Sequence, residues 1–226
     1  MYVKRIISNL KLPYVLVKEF WYAYLTPKQS YSQFGEDLIF EKKLKSLKGN
    51  YLEVGSGRPV SGNNTWKLYK RGWNGICVDP IRKNAILHKF LRPKDKFYCA
   101  IIGNNFKMLD LYETYPYEYS STNLENIKNL IFNNQAVLLR KYQVSSLPIN
   151  QLMNLLDRID LLNIDAEGMD LEILSSINFD IHAPIFICVE DHQFYAETSA
   201  INKLLLSNKY KLVSKMHPSY LYELIA

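Results

Sequence analysis

Residues 51–57 run Tyr51-Leu52-Glu53-Val54-Gly55-Ser56-Gly57, and the next apolar run, Gly75-Ile76-Cys77-Val78, closes on an acid, Asp79. A short apolar strand entering a Glu-x-Gly-x-Gly turn brings bare backbone close to a ligand, because glycine carries no Cβ and tolerates positive φ. An acid at the tip of the second strand is placed to hydrogen-bond the two hydroxyls of a ribose. Together these features constrain the chain to an α/β fold that binds a nucleoside-bearing cofactor, and they leave the cofactor open.

The rest of the chain alternates in the same way. Strands are expected at 50–54, 75–78, 97–102, 159–164, 184–189, 210–214 and 219–224, with helices near 63–71, 82–90, 149–156, 169–176 and 198–207. Such alternation implies a parallel sheet with helices on both faces. The last two strands lie too close for a crossover helix, so an antiparallel addition is expected at the C-terminal edge. Residues 103–148 break the pattern. They hold a tyrosine cluster (Tyr112, Tyr115, Tyr117, Tyr119), then Ser120-Ser121-Thr122 and an Asn-rich stretch. An excursion of that length at the ligand-facing end of a sheet is expected to be a lid or an acceptor-binding element. The domain reading is a basic amphipathic helical segment over 1–28 and one catalytic domain over 29–226.

Charge is unevenly spread. The net charge is +6, and residues 1–30 hold Lys4, Arg5, Lys11, Lys18 and Lys28 against one acid, Glu19. The near-neutral remainder argues against a nucleic-acid groove. Apolar residues at Val3, Ile6, Ile7, Leu10, Tyr14, Val17, Phe20, Trp21 and Tyr24 make a helical stripe, interrupted at Pro13. That stripe suits packing on the domain, a homodimer through residues 1–25, or peripheral contact with the inner face of a membrane. No segment reaches the roughly 18–20 uncharged residues of a membrane span. Lys11 and Lys18 interrupt any signal-peptide core, so a cytoplasmic location is expected. Cys77, Cys99 and Cys188 sit in strand-like runs without metal-ligand spacing, as buried free thiols do.

The dinucleotide fingerprint needs a third glycine, and here that position is Val60 after Pro59. That departure disfavours an NAD-dependent epimerase. Glu53, two residues before the first glycine, suits a ligand with a cationic amine. S-adenosylmethionine carries one on its methionine arm.

Ser32-Gln33-Phe34-Gly35-Glu36-Asp37, Leu52 to Gly57, Asn63-Asn64-Thr65 with Leu68-Tyr69, Gly72 to Pro80, Leu161 to Gly168, and Ile187 to Glu190 follow one another in order. This ordered set resembles the FkbM family of S-adenosylmethionine-dependent methyltransferases over about residues 30–225. Where the family commonly has Glu, this chain has Asp79. The resemblance implies a Rossmann-like class I methyltransferase fold, mostly parallel and seven-stranded, with an antiparallel C-terminal strand. It implies O-methylation of a saccharide in a surface glycan or glycolipid, as in polysaccharide biosynthesis. A hydroxyl of a non-sugar natural product is the alternative acceptor. A non-catalytic cofactor-fold subunit is the competing class, disfavoured by the intact Glu53, Gly55, Gly57, Asp79 and Asp165.

On this reading Gly55, Ser56 and Gly57 line the methionine arm, and Glu53 meets its amine directly or through water. Asp79 takes the ribose. Gln33, Asn64, Thr65, Ile101 and Asp165 are further expected cofactor contacts. For chemistry the sulfonium is already electrophilic, so the chain must align the acceptor and take its proton. Asp165 or His192 is expected as general base, histidine having an ordinary pKa of about 6.5. Alternatively Asp165, Glu190 and His192 hold a divalent cation (Mg or Mn) that lowers the hydroxyl pKa; the metal-free route is favoured. Tyr115, Tyr117 and Tyr119 alternate like one face of a strand and, with Glu167, are expected to meet the acceptor, since sugar C–H faces stack on tyrosine.

Overall fold

The computed structural model describes residues 12–26, 28–45, 48–166, 168–191 and 199–225. Seven strands form the main sheet: β1 (Asn50–Val54), β2 (Asn74–Val78), β3 (Lys96–Tyr98), β7 (Leu161–Ile164), β8 (Phe186–Glu190), β9 (Tyr210–Met216) and β10 (Ser219–Leu224). Their spatial order is β3-β2-β1-β7-β8-β10-β9. β1 pairs in parallel with β2 and β7, β2 with β3, and β7 with β8. β10, last in sequence, runs antiparallel between β8 and the edge strand β9. The order reverses between β1 and β7, and ligands of such sheets bind at that switch point, outside the carboxyl ends of the strands.

The central strands are covered on both faces, which is why they read as continuous apolar runs. Alternate residues serve opposite sides. Leu52, Val54, Ile76, Val78, Leu162 and Ile164 pack with Ile149 and Met153 of α6 (Ile149–Met153), Ile173 and Leu174 of α7 (Asp170–Ser175), and Ile201 and Leu205 of α8 (Ala200–Ser207). Tyr51, Cys77, Leu161 and Cys188 face the other way, onto Phe40 of α2 (Glu36–Lys43), Leu68 of α3 (Trp66–Lys70) and Trp73. Each such side chain contributes about 1.5–3 kcal/mol by leaving water. The three cysteines are free thiols.

The chain leaves the main sheet after Tyr98. The single strand expected over 97–102 is two: β3, and β4 (Ala100–Ile102), which belongs to a second sheet ordered β4-β6-β5. β5 (Lys107–Tyr115) and β6 (Val137–Leu147) are antiparallel partners, and α5 (Leu124–Phe132) lies between them in sequence. The expected aromatic strand face does not form. Pro116 has no N–H to extend the ladder, β5 stops at Tyr115, and Tyr117–Tyr119 is a single 3₁₀ turn.

Ahead of α2, residues 12–20 form a helix, α1, that runs into a π-helical turn at Trp21–Leu25. Pro13 lies in its first described turn, where a missing N–H costs little. The stripe positions Val3, Ile6, Ile7 and Leu10 lie outside the described residues. No helix among the described residues is long and apolar enough to cross a membrane.

Candidate active site

The glycine turn hangs on the neighbouring strand. The backbone N–H groups of Gly55 and Ser56 both donate to the Val78 carbonyl, at 2.9 and 3.1 Å. Gly55 has φ of +73°, and a Cβ there would lie 1.7 Å from the Asp165 carbonyl oxygen. Its missing side chain therefore serves the contact between the β1 and β7 tips. Gly57 N–H donates to Asp79 Oδ2 at 3.0 Å, while Ile81 N–H and the Asn84 amide donate to Oδ1 at 2.8 and 2.9 Å. Asp79 is thus tied both to the glycine turn and to the start of α4 (Arg82–Leu91). Burial pushes its carboxyl up to about 6, against the pull of those three donors.

His88 of α4 lies 3.2 Å by Nε2 from the Gly57 carbonyl. Burial holds its pKa well below the ordinary value, with Arg92 adding to the effect, so the ring is neutral. Since a carbonyl only accepts, Nε2 carries the proton and donates. Nothing in its spacing marks this histidine as a support for the turn.

Glu53 stands behind the turn, not in front of it. It is buried, and one of its oxygens accepts from the Thr65 hydroxyl at 2.8 Å and the Asn63 amide at 3.3 Å. Arg92 Nη1 lies 3.5 Å from the same oxygen. Arg92 is itself wholly enclosed: Nε meets Asp95 at 2.6 Å, Nη1 the Asn63 side-chain oxygen at 2.9 Å, and Nη2 the hydroxyls of Tyr51 and Thr65, each at 2.7 Å. Tyr51 in turn donates to Asp95 at 2.8 Å. Two carboxylates share one guanidinium, and burial raises the Glu53 pKa although Arg92 opposes the shift. A direct contact from Glu53 to a ligand amine is not what this geometry provides; it fixes the underside of the turn and the start of α3. Thr65 belongs to this network, and Asn64 lies near Asn163 at 3.5 Å; neither lines the cleft described next.

A cleft of about 530 Å³ opens at the carboxyl edge of the sheet. One wall is made by Gly55, Gly57, Asp79, Ile81 and Ile101, with Gln33 above and Asp165 at the β7 tip. The second sheet, which already supplies Ile101, and its insertion add Leu111, Tyr117, Tyr119, Ser120-Ser121-Thr122, and Asn126 and Leu130 of α5. Arg58 lines the cleft too, its guanidinium 5.2 Å from the Tyr117 ring centroid. Gln33 reaches the rim because Asp37 gathers the loop ahead of α2, accepting from the Tyr31 N–H at 2.7 Å and from the hydroxyls of Ser30 and Ser32. Glu36 faces away and accepts from Ser219 at 2.8 Å.

Several expected residues lie apart from the cleft. Ser56 turns inward and its carbonyl accepts from Asn63 at 3.0 Å. Tyr115 points out at 63% exposure, on the far side of Pro116 from the other two tyrosines. Glu190, at the end of β8, does not line the cleft. His192 and Glu167 lie outside the described residues. No three His, Cys, Asp or Glu side chains gather as a metal site among the described residues. The parts that escaped sequence reasoning are Arg58, His88, Arg92 and Asp95. Ser120-Ser121-Thr122 falls within the excursion expected to bind the acceptor, though without individual roles.

Strand order, glycine turn and strand-tip acid define a Rossmann-like methyltransferase fold. The FkbM methyltransferase domain matches residues 53–212, and the chain belongs to that family. No curated protein matches it in sequence. Among solved structures, that of monomeric WbdD aligns at a TM-score of 0.44 with 12% identity, over 90% of this chain and 43% of that one. The chain therefore spans less than half the length of that protein.

Proposed function

We propose that this chain is an S-adenosylmethionine-dependent O-methyltransferase acting on a saccharide hydroxyl, in a glycan or glycolipid. The observation that carries the reading is the mixed lining of one cleft: glycine backbone and a strand-tip acid together with tyrosines and small hydroxyls. The cofactor fits the first part of that lining. Asp79 accepts three hydrogen bonds, and a carboxylate offers about four acceptor sites. Room thus remains for a ribose hydroxyl, and the cleft volume suits a ligand of that size. Gly55 and Gly57 then border the methionine arm, and Ile101 the base.

Bound there, S-adenosylmethionine supplies an electrophilic methyl group. The chain's part is to hold the acceptor oxygen in line and receive its proton. Asp165, which lines the cleft at the β7 tip, is assigned that part. Residues 103–148 act as the acceptor-binding element, with Tyr117 and Tyr119 beneath the sugar and Ser120–Thr122 hydrogen-bonding its hydroxyls. Incubation with methyl-labelled cofactor and candidate nucleotide sugars, purified glycans or glycolipids tests the reading. Label is expected in saccharide, with turnover unchanged by excess EDTA. Label confined to protein or RNA contradicts the acceptor class.

A further inference from the structure

The two sides of α1 differ sharply. Inward, Leu16, Tyr22 and Ala23 pack with Tyr31, Val60, Trp66 and Leu91. Glu19 accepts from the N–H groups of Val60 and Ser61 at 3.2 and 2.9 Å, and from the Ser61 hydroxyl. Outward, Tyr14, Val17 and Trp21 are 66%, 65% and 51% exposed, and Phe20, Tyr24 and Leu25 join them. A docked helix whose free side is this aromatic has a surface left to cover. Its charge says with what. Glu19 is the one acid among residues 1–30 and is wholly buried, so the segment's outward charge is entirely basic. Lys18 and Lys28 are exposed beside the aromatic face, each lying over the Tyr22 ring. A second copy docked there would bring like charges together. An anionic surface would not, and Trp, Tyr and Lys are the side chains that settle at a membrane–water boundary.

We propose that the outer face of α1 docks on an anionic phospholipid bilayer and so sets the mouth of the cleft at the membrane. The link to the cleft is short. Ser61, which Glu19 grips, lines it together with Gly62. α5 also lines the cleft, with Asn126 and Leu130, and exposes Phe132 at 86%. A glycolipid acceptor reaches such a mouth with its lipid still in the bilayer. The docking itself holds whether or not the chain transfers methyl groups.

Flotation of the full chain with vesicles tests it. Co-flotation is expected with phosphatidylcholine containing phosphatidylglycerol, much less with phosphatidylcholine alone, and should weaken in high salt. Trp66 and Trp73 are buried, so Trp21 alone of the three tryptophans should shift its emission to the blue on docking. A Val17→Ser, Trp21→Ser double variant should bind at least about tenfold more weakly, and Lys18→Glu several-fold more weakly. All three substitutions sit outside the packed face, so melting temperature should hold. Absence of co-flotation overturns the proposal. So does a dimer, seen by light scattering, that the double variant dissolves.

Discussion

Asp79 is one carboxylate with three jobs: it closes the glycine turn, starts α4 and faces the cleft. Burial raises its pKa from the ordinary carboxylate range to about 6, and that shift carries a sign. A carboxyl raised on folding stabilises the fold below its unfolded pKa and loses that contribution as pH rises through the folded value. Between pH 4 and 6 the unliganded protein should lose up to about 3 kcal/mol from this group alone. A ribose donating to the carboxylate favours the ionised form. Cofactor affinity should therefore strengthen as pH rises through about 6 and level off above it. Calorimetric titration across pH 5–8 checks this, and Asp79→Asn should flatten the profile.

At the same scale Glu53 and Gly55 separate support from contact. Because Glu53 does not line the cleft and its Oε2 is held by Thr65, Asn63 and Arg92, Glu53→Gln should keep cofactor affinity within a few-fold. A direct contact to the ligand amine would cost far more. Arg92→Met strands two buried carboxylates and should cost about 3–5 kcal/mol in a denaturant titration. Gly55→Ala drives a methyl into the Asp165 carbonyl. It should destabilise by more than about 3 kcal/mol, whereas Gly62, also at positive φ but facing open space, should lose only about 1–2 kcal/mol on the same change.

Among the elements, the main strands were readable because both of their faces are apolar, so each is a short continuous apolar run bounded by turn residues. The second sheet was not. β5 and β6 are half-exposed, and Pro116 turns an apparent strand face into a 3₁₀ turn. Tyr117 and Tyr119 reach the cleft by that turn, while Tyr115 does not. Tyr119→Ala and Ser121→Ala should each raise the acceptor KM about tenfold, roughly the 1.4 kcal/mol of one lost contact, with cofactor affinity unchanged. Tyr115→Ala should change neither. Steady-state kinetics with calorimetry on the same variants separates the two effects.

At the scale of the whole molecule, the opening motif located the cofactor wall because a glycine turn and a strand-tip acid are short-range signals. Arg92 and Asp95 left no such trace: their network joins Tyr51, Glu53, Asn63 and Thr65 only after three elements have packed. The tyrosine and hydroxyl lining is further still from the motif in sequence, and it meets the glycine turn across the cleft, where Arg58 lies over the Tyr117 ring. The account rests on that cleft holding S-adenosylmethionine against Asp79. Calorimetric titration of the full chain with S-adenosylmethionine at pH 7.5 is the most direct test. Binding at one site, lost on Asp79→Ala and retained on Glu53→Gln, is the predicted result; no binding, or equal binding by the Asp79→Ala variant, would contradict it.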